Sequence, residues 1–165
     1  VTERPAALFR LHEYAEATGR LAALTWGAED LGAAVGASST RDADGCWLPP
    51  YELARSLSLM AASAAGVPAV DTVFTDYRDR DGLKAYAESA RRDGFEGMLA
   101  IHPDQVPIIN DAFQPDSDEV ERAQRIVDAF AANPGAGTLG IDGEMLDRPH
   151  LKLAERILAR AARYH

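Results

Sequence analysis

The chain has 165 residues, of which 47% are hydrophobic and 26% are charged, which is enough for one globular domain with a core of its own. A formal net charge of −9 argues against a nucleic-acid partner, because a nucleic-acid surface needs clustered basic side chains. No apolar run approaches the roughly 18 residues of a membrane span, so we expect no membrane partner. The single cysteine, Cys46, cannot form an internal disulfide, and this favours a reducing, cytoplasmic compartment.

The first half of the chain predicts helices that alternate with a short apolar strand. Leu8, Leu11 and Ala15 recur at helical spacing, and a pair of prolines opens a longer helix that Gly66 ends. In chain order, the predicted elements are a helix (6–18), a strand (21–25), a loop with a short helix (31–37), a surface loop (38–46) and a helix (49–65).

The second half continues the alternation and then becomes helical. Its predicted elements are a strand (69–74), a helix (79–93), a strand (97–101), a helix (103–113) and a helix that runs to about residue 132. Ser117 or Asp118 caps the last of these, with Glu121 placed for a capping-box contact. Residues 133–140 predict a flexible link, and Pro149 begins a helix that continues to the end of the chain.

Strands near residues 1, 21, 69 and 97 that alternate with helices predict βα units and a parallel sheet. A complete eight-unit barrel takes about 250 residues, so the four units of this chain match half of one. A flavodoxin-like open sheet fits the same periodicity, but no glycine-rich phosphate motif follows any strand. Because the chain begins at Val1 without an initiator methionine, we expect it to be a piece of a longer protein.

Candidate functional residues follow the carboxyl ends of the strands, where the active sites of βα barrels lie. Glu3, the adjacent pair Glu29 and Asp30, Asp71 and His102 hold these positions. Carboxylates without nearby cysteines or paired histidines favour a hard cation, Mg²⁺ in particular, and Glu3 and Asp30 on adjacent strands would fit one. The alternative is that these acids lie in turns and cap the helices that follow.

His102, Asp71 and the tail residue Asp147 can each be interpreted in a functional or a structural way. His102 either positions a ligand or is a partly buried histidine that is hydrogen-bonded to the backbone. We expect Asp71 to bind a backbone amide or an arginine rather than a substrate. Asp147 lies in an acidic tail that could fold over a neighbouring subunit, but it could also simply cap the helix that contains Pro149.

Five motifs occur in a characteristic order, namely WGAEDL, AVDTVF, GFEGMLAIHPDQV, FQPDSDEVERAQRIVDAF and DGEMLDRP. Together they resemble the HpcH/HpaI aldolase and citrate lyase β-subunit family over nearly the whole chain. The resemblance implies an α/β fold, the C-terminal half of a TIM (β/α)8 barrel of the phosphoenolpyruvate/pyruvate-binding type with a C-terminal helical tail. Residues 1–133 would form the half barrel, starting at about its fifth strand. Residues 134–165 would form a linker and a helical tail that packs on a neighbouring subunit.

The resemblance also implies roles for particular residues. Glu3 and Asp30 would bind Mg²⁺, and the segment formed by Gly27, Ala28, Glu29 and Asp30 would bind the oxo-acid carboxylate through backbone N–H groups. Asp147 would be the catalytic acid or base, supplied by the neighbouring subunit. The possible contacts on the CoA side are Ile101, His102 and Pro103. Arg4 departs from the family pattern, which often has threonine there, and so leaves the fine substrate specificity open.

The activity implied is a Mg²⁺-dependent carbon–carbon lyase that cleaves or forms a 3-hydroxyacyl-CoA, of the citryl-, citramalyl-, malyl- or hydroxymethylglutaryl-CoA type. The products would be acetyl-CoA or a related thioester and a 2-oxo acid. One alternative is a class II aldolase that acts on free hydroxy-oxo acids, and another is a truncated, non-catalytic assembly partner. We expect a homo-oligomer, a trimer or hexamer, and we expect residues 1–165 alone not to form a stable monomer, because a half barrel exposes unpaired strand edges.

Overall fold

The computed structural model describes residues 1–163 and divides the chain into two compact units, Val1–Phe113 and the residues from Gln114 onward. The first unit contains α1 (Pro5–Leu8), a 3₁₀ turn (Leu11–Glu13), α2 (Tyr14–Ala17), β1 (Leu24–Thr25), α3 (Ala28–Val35), α4 (Pro49–Ala64), β2 (Ala69–Asp71), α5 (Arg80–Asp93), β3 (Gly97–Met98) and α6 (Gln105–Phe113). The second unit contains α7 (Ser117–Ala132), β4 (Thr138–Ile141), β5 (Glu144–Asp147) and α8 (Arg148–Ala161).

The three strands of the first unit form a parallel sheet in the order β1-β2-β3. Thr2 extends this order by one position, since it forms a parallel bridge with Trp26 directly after β1. Each strand therefore pairs with the next one along the chain, as in a βα barrel, whereas a flavodoxin-like sheet places its first strand between later ones. The prediction of barrel-type βα units is confirmed.

Two apolar clusters hold the first unit together. The larger one joins the sheet to the helices that cover it and includes Leu83, Phe95 and Phe113, each 1% exposed. The smaller one is built around Trp26 and Tyr51, which are 0% and 1% exposed, and it fixes the end of β1 against α3 and α4. Burying an aromatic side chain of this size stabilises the fold by roughly 2–3 kcal/mol, so the end of β1 is a firmly held part of the unit.

The second unit consists of two helices and an antiparallel hairpin around a core of its own. Helix α7 packs against α8, and the β4-β5 hairpin contributes Leu146 to the cluster that includes Ile126, Phe130 and Ala154. Asp116 begins α7 with a capping box, in which its carboxylate accepts the N–H of Glu119 at 2.8 Å. The predicted caps Ser117 and Asp118 are wrong by one or two positions, and Glu119 rather than Glu121 completes the capping box.

Two other elements differ from the sequence predictions. The predicted helix 6–18 is broken at Arg10, whose backbone (φ −121°, ψ 15°) leaves the helical region, so that Leu11 is buried although it begins a new turn. The predicted flexible link contains most of β4, which pairs with β5 through a turn at Asp142 and Gly143 with φ values of 52° and 82°. An Asp-Gly pair is a strong hairpin signal, because its residues tolerate positive φ, and it was available in the sequence.

The boundary between the two compact units lies between Phe113 and Gln114, and α7 packs with α8 inside the second unit. The division into a half barrel (1–133) and a linker with a helical tail (134–165) stays a prediction. The helix predicted to reach the chain end is observed as far as Ala161, and residues 164–165 lie outside the described residues. None of the helices in the described range 1–163 is both long enough and apolar enough to cross a membrane.

Candidate metal and substrate site

Backbone pairing brings Glu3 and the beginning of α3 to the same edge of the sheet. Thr2 N–H donates to the carbonyl of Thr25 at 2.7 Å, and Gly27 N–H donates to the carbonyl of Thr2 at 3.0 Å. Glu3 follows Thr2 directly, and Asp30 lies in the first turn of α3, which begins immediately after Gly27. The predicted neighbourhood of Glu3 and Asp30 is therefore present in the structure.

Gly27 leaves open the space between the two carboxylates. A Cβ atom on Gly27 would stand 3.3 Å from Glu3 Oε2 and 3.6 Å from Asp30 Oδ2, so both oxygens border the same small volume. The same atom would lie 2.9 Å from Glu3 Cβ, which is too close for any side chain. Because Gly27 has an ordinary φ of −117°, close approach rather than backbone conformation requires glycine here.

The donor set suits a hard divalent cation. Mg²⁺ is commonly held by one or two carboxylates and keeps its other positions for water and substrate, and Glu3 and Asp30 supply that number of ligands. Across residues 1–163 no group of three or more His, Cys, Asp or Glu side chains is arranged to hold a metal. A closed structural site of the zinc type, which needs four protein ligands, is therefore excluded for that part of the chain.

The first turn of α3 presents backbone donors beside these carboxylates. Gly27 N–H is bound to Thr2, and Ala28 N–H points to the buried hydroxyl oxygen Oγ1 of Thr72 at 3.4 Å. Within the described residues, the N–H groups of Glu29 and Asp30 have no acceptor, and no side chain caps the helix. Free N–H groups at a helix N-terminus form a site for an anion such as a carboxylate, and the binding of the oxo-acid carboxylate by Glu29 and Asp30 stays a prediction.

Asp71 is fully buried and joins three structural elements at the end of β2. Its Oδ1 accepts the indole N–H of Trp26 at 2.7 Å and the backbone N–H of Thr72 at 2.8 Å. Its Oδ2 lies 2.8 Å from Nη2 and 2.9 Å from Nε of Arg55 on α4. The prediction that Asp71 binds an arginine and a backbone amide is confirmed, and its carboxylate is used entirely in holding the end of β1.

The charges around Asp71 shift two neighbouring groups. Burial lowers the pKa of Arg55, but the charge and hydrogen bonds of Asp71, together with a 2.7 Å bond to Asp93, outweigh burial and hold that pKa above its ordinary value. Burial, reinforced by the negative charge of Asp71, raises the pKa of Tyr86 to about 12. At neutral pH Arg55 therefore stays a cation and Tyr86 stays an uncharged phenol. Neither group changes its charge near pH 7, so the network has a structural role there.

The loop after β3 is held in place by a buried glutamine. Gln105, which is 1% exposed, accepts the N–H of Ile101 at 2.9 Å and donates to the carbonyl of Phe74 at 2.9 Å. His102 stacks on Tyr77, with ring centroids 4.9 Å apart, and its Nδ1 accepts the N–H of Asp104 at 3.2 Å. His102 is therefore hydrogen-bonded to the backbone, and its contact with a ligand stays a prediction. Ile101 and Pro103 lie exposed beside it on the same loop.

Asp147 belongs to the second unit, whereas Glu3 and Asp30 belong to the first. It is the last residue of β5 and the N-cap residue of α8, as the helix-cap interpretation expected. Its carboxylate oxygen Oδ1 lies 2.6 Å from Nδ1 of His150, and the two side chains are 46% and 48% exposed. The carboxylate is therefore half-buried and hydrogen-bonded, yet accessible.

Sequence reasoning missed Arg55, Thr72 and His150 as contributors to these sites. Arg55 and Thr72 act through partners on other elements, Asp71 on β2 and Ala28 on α3, 16 and 44 residues away, so no local pattern could identify them. His150, by contrast, lies three residues after Asp147 in the first turn of a predicted helix. That spacing places two side chains on the same helix face and could have indicated the contact.

Family models match both ends of the chain. The model described as HpcH/HpaI aldolase/citrate lyase matches residues 2–103, and the model described as a C–C bond lyase of the TIM-barrel fold matches residues 54–165. Each covers more than half of the chain, and the two overlap in the region of α4 to β3.

Individual relatives agree with these models. The citrate lyase subunit beta-like protein of Mycobacterium tuberculosis is 40% identical over 138 residues, which are 84% of this chain and 50% of that protein. The mitochondrial citramalyl-CoA lyase of Rattus norvegicus is 34% identical over 143 residues, 86% of this chain and 41% of that one. The chain thus spans about half the length of these curated relatives.

The structural comparison gives the same result. The crystal structure of CitE from Mycobacterium tuberculosis, in complex with magnesium, acetoacetate and coenzyme A, matches with a TM-score of 0.83 at 36% identity. The match covers 96% of this chain and 58% of that chain. With two family models matching and the strand order of a βα barrel, this chain belongs to the HpcH/HpaI aldolase/citrate lyase family.

Proposed function

We propose that this chain carries the Mg²⁺ ligands and the catalytic acid of a carbon–carbon lyase that acts on a 3-hydroxyacyl-CoA. Candidate substrates are citryl-, citramalyl-, malyl- and hydroxymethylglutaryl-CoA, and the products are a 2-oxo acid and acetyl-CoA or a related thioester. The observation that carries the proposal is the space above Gly27, which Glu3 Oε2 and Asp30 Oδ2 border together. The names of the relatives support the substrate class, since they include a citramalyl-CoA lyase and a CitE structure with coenzyme A.

Each part of the site has a role in this reaction. Glu3 and Asp30 would hold Mg²⁺, which supplies Lewis-acid stabilisation of the developing carbonyl group. The N–H groups of Glu29 and Asp30 would hold the carboxylate of the oxo-acid portion. In the cleavage direction, the hydroxyl on C3 passes its proton to water and becomes the carbonyl of the 2-oxo acid, while the bond between C2 and C3 breaks. The electron pair of that bond passes to C2, the α-carbon of the thioester, as an enolate. Asp147 would then protonate that carbon, or remove a proton from it in the condensation direction.

As the family resemblance implies, Asp147 would serve the active site of a neighbouring subunit. We therefore propose a homo-oligomer, a trimer or a hexamer, located in the cytoplasm. The half barrel would use Ile101, His102 and Pro103 on the CoA side, because this loop is exposed and fixed by Gln105.

The metal assignment is tested by calorimetric titration of Mg²⁺ into matched variants. Asp30→Asn and Glu3→Gln should each weaken Mg²⁺ binding at least 10-fold, because each removes one of two charged ligands. Glu29→Gln is the matched control, since it neutralises the adjacent acid and keeps the backbone N–H, and it should bind Mg²⁺ as the wild type does. Unchanged Mg²⁺ affinity in Asp30→Asn would overturn the assignment.

The catalytic role is tested separately on the assembled enzyme. Asp147→Asn should lose turnover while it keeps its affinity for Mg²⁺ and for the CoA thioester. The competing class II aldolase is distinguished by acetyl-CoA, which should raise the melting temperature only if the folded protein binds the thioester. A non-catalytic assembly partner would bind neither Mg²⁺ nor acetyl-CoA.

A further inference from the structure

The pair formed by Asp147 and His150 is a second feature of the proposed catalytic unit. Asp147 ends β5 and His150 lies three residues later in the first turn of α8, so the two side chains share one face of the helix. His150 Nδ1 lies 2.6 Å from Asp147 Oδ1. Two unprotonated acceptor atoms repel each other at this distance, so a proton lies between them.

Asp147 is held through both its backbone and its side chain, since Asp147 and His150 form the capping box of α8, in which the Asp147 carboxylate accepts the backbone N–H of His150. Leu146, which is 3% exposed, anchors the preceding strand residue in the core of the second unit. The cation next in sequence, Arg148, is directed elsewhere: its Nη2 donates to the carbonyl of Pro134 at 3.4 Å, and its guanidinium carbon lies 5.7 Å from the ring centroid of Phe130. The side-chain contact of the Asp147 carboxylate is therefore made by His150.

The histidine tautomer follows from the distances. Nδ1 also lies 3.2 Å from the backbone nitrogen of Asp147, and it could accept that N–H only if it carried no proton. The shorter contact with Oδ1 requires a proton on Nδ1 when the carboxylate is ionised. Beside an ionised Asp147, His150 therefore donates from Nδ1 to Oδ1, and this contact holds that oxygen in a fixed direction.

We propose that His150 is a positioning residue for the catalytic Asp147, whose carboxylate it orients through an Nδ1–H to Oδ1 hydrogen bond. This inference rests on the proposed function, because it assigns a purpose to the pair only if Asp147 exchanges a proton with the substrate. An acid that protonates carbon must be held within hydrogen-bond reach of one atom in one direction. An aspartate that is half exposed samples several rotamers unless a partner selects one, and His150 is that partner.

The kinetic test compares two substitutions at His150 on the assembled enzyme. His150→Leu, which removes the donor, should lower kcat about 10- to 100-fold and leave the KM for the CoA thioester unchanged, since misplacing a reacting group by about 1 Å costs rate rather than binding. His150→Asn, which places an amide donor near the position of Nδ1, should restore most of kcat. Lys152→Leu is the matched control, an exposed residue of the same helix, and should turn over at the wild-type rate.

A double variant separates the two proposals. Asp147→Asn combined with His150→Leu should be no slower than Asp147→Asn alone, because a positioning residue has no effect once its target is gone. If Asp147→Asn is inactive and His150→Leu has a wild-type kcat, His150 has no positioning role and the proposed function stands. If Asp147→Asn retains full turnover, both proposals are wrong.

A spectroscopic measurement tests the pair without any activity. The measurement is an NMR spectrum of the full chain labelled with ¹⁵N-histidine, in which the His150 signal is assigned as the one that disappears in His150→Leu. At mildly alkaline pH this signal should show the proton on Nδ1. In Asp147→Leu, which removes the acceptor, the same ring should move toward the Nε2-protonated form that free imidazole side chains prefer. A His150 ring with no proton on Nδ1 in the wild type would overturn the inference.

Discussion

The indole N–H of Trp26 donates to the buried carboxylate of Asp71 at 2.7 Å, and this bond ties the end of β1 to the end of β2. Trp26 is followed immediately by Gly27, where the candidate metal site begins. Because Asp71 also binds Arg55 and the backbone of Thr72, a single carboxylate fixes the position from which α3 starts. The site therefore depends on a residue that does not line it.

Removing the charge of Asp71 should strongly destabilise the first unit. Asp71→Asn leaves Arg55, whose side chain is 14% exposed, facing an amide instead of a carboxylate. Breaking a buried ion pair on one side costs about 3–5 kcal/mol, which urea denaturation should detect. Asp93→Asn is the control, because it removes the more exposed carboxylate partner of the same arginine. It should lower the free energy of unfolding by less than about 1 kcal/mol, since the Asp93 side chain is 44% exposed. Equal losses in the two variants would contradict the buried role of Asp71.

Adding a methyl group at Gly27 should disrupt the metal site. Gly27→Ala places a Cβ 2.9 Å from Glu3 Cβ, so the strand end that carries Glu3 must move away from Asp30. We expect Mg²⁺ affinity to fall at least 10-fold in a calorimetric titration. Gly97→Ala in β3 is the matched control, because a Cβ there meets nothing within 4 Å, and it should keep its Mg²⁺ affinity. Wild-type Mg²⁺ binding in Gly27→Ala would place the cation elsewhere.

Tyr86 should make the first unit sensitive to alkali. Its phenol has a pKa of about 12 in the folded chain and an ordinary value of 10.0 when unfolded, chiefly because of burial. Below pH 10 both states are neutral and the stabilising contribution is complete. Between pH 10 and pH 12 the unfolded chain loses the proton first, so the free energy of unfolding falls by up to about 1.4 kcal/mol per pH unit.

The measurement is urea denaturation at several pH values in that range, compared with Tyr86→Phe. The variant lacks the titrating phenol and also the 3.2 Å hydrogen bond from Trp47, so it starts less stable but should lose stability less steeply with pH. Lysines and the other tyrosines titrate in both proteins, and their contribution cancels in the difference. Parallel pH profiles for the two proteins would show that Tyr86 does not supply the alkaline sensitivity.

The capping box of α7 should contribute measurably to the second unit. Asp116→Ala removes the acceptor for the N–H of Glu119 and should lower the free energy of unfolding by about 1 kcal/mol. Glu121→Ala, two residues beyond the capping box, should be nearly neutral, because alanine is a better helix former and the side chain is exposed. A larger loss in Glu121→Ala than in Asp116→Ala would favour the cap predicted from sequence alone.

The sequence was informative where a residue's role depends on its immediate neighbours. Short apolar segments, helical spacing and the glycines that end helices identified β1, β2, β3, α4 and α5 within a few residues. These signals are visible in the sequence because each comes from neighbouring residues of one element. The hairpin of β4 and β5 was missed although its Asp142-Gly143 turn was visible, since the preceding glycines and proline favoured a link. The oligomeric state and the stability of residues 1–165 alone stay predictions.

By itself, the sequence determined the parallel βα order and the acids that follow its strands, because strand and helix periodicity are local and strand ends are marked by polar residues. Only the tertiary structure decided that Glu3 and Asp30 border one space, and that position 27 requires glycine because a Cβ there would lie 2.9 Å from Glu3 Cβ. It also decided that Asp71 accepts the indole N–H of Trp26, which lies 45 residues earlier in the chain. Such contacts join residues far apart in the chain, and their geometry follows from how the helices and strands pack, which no local pattern records.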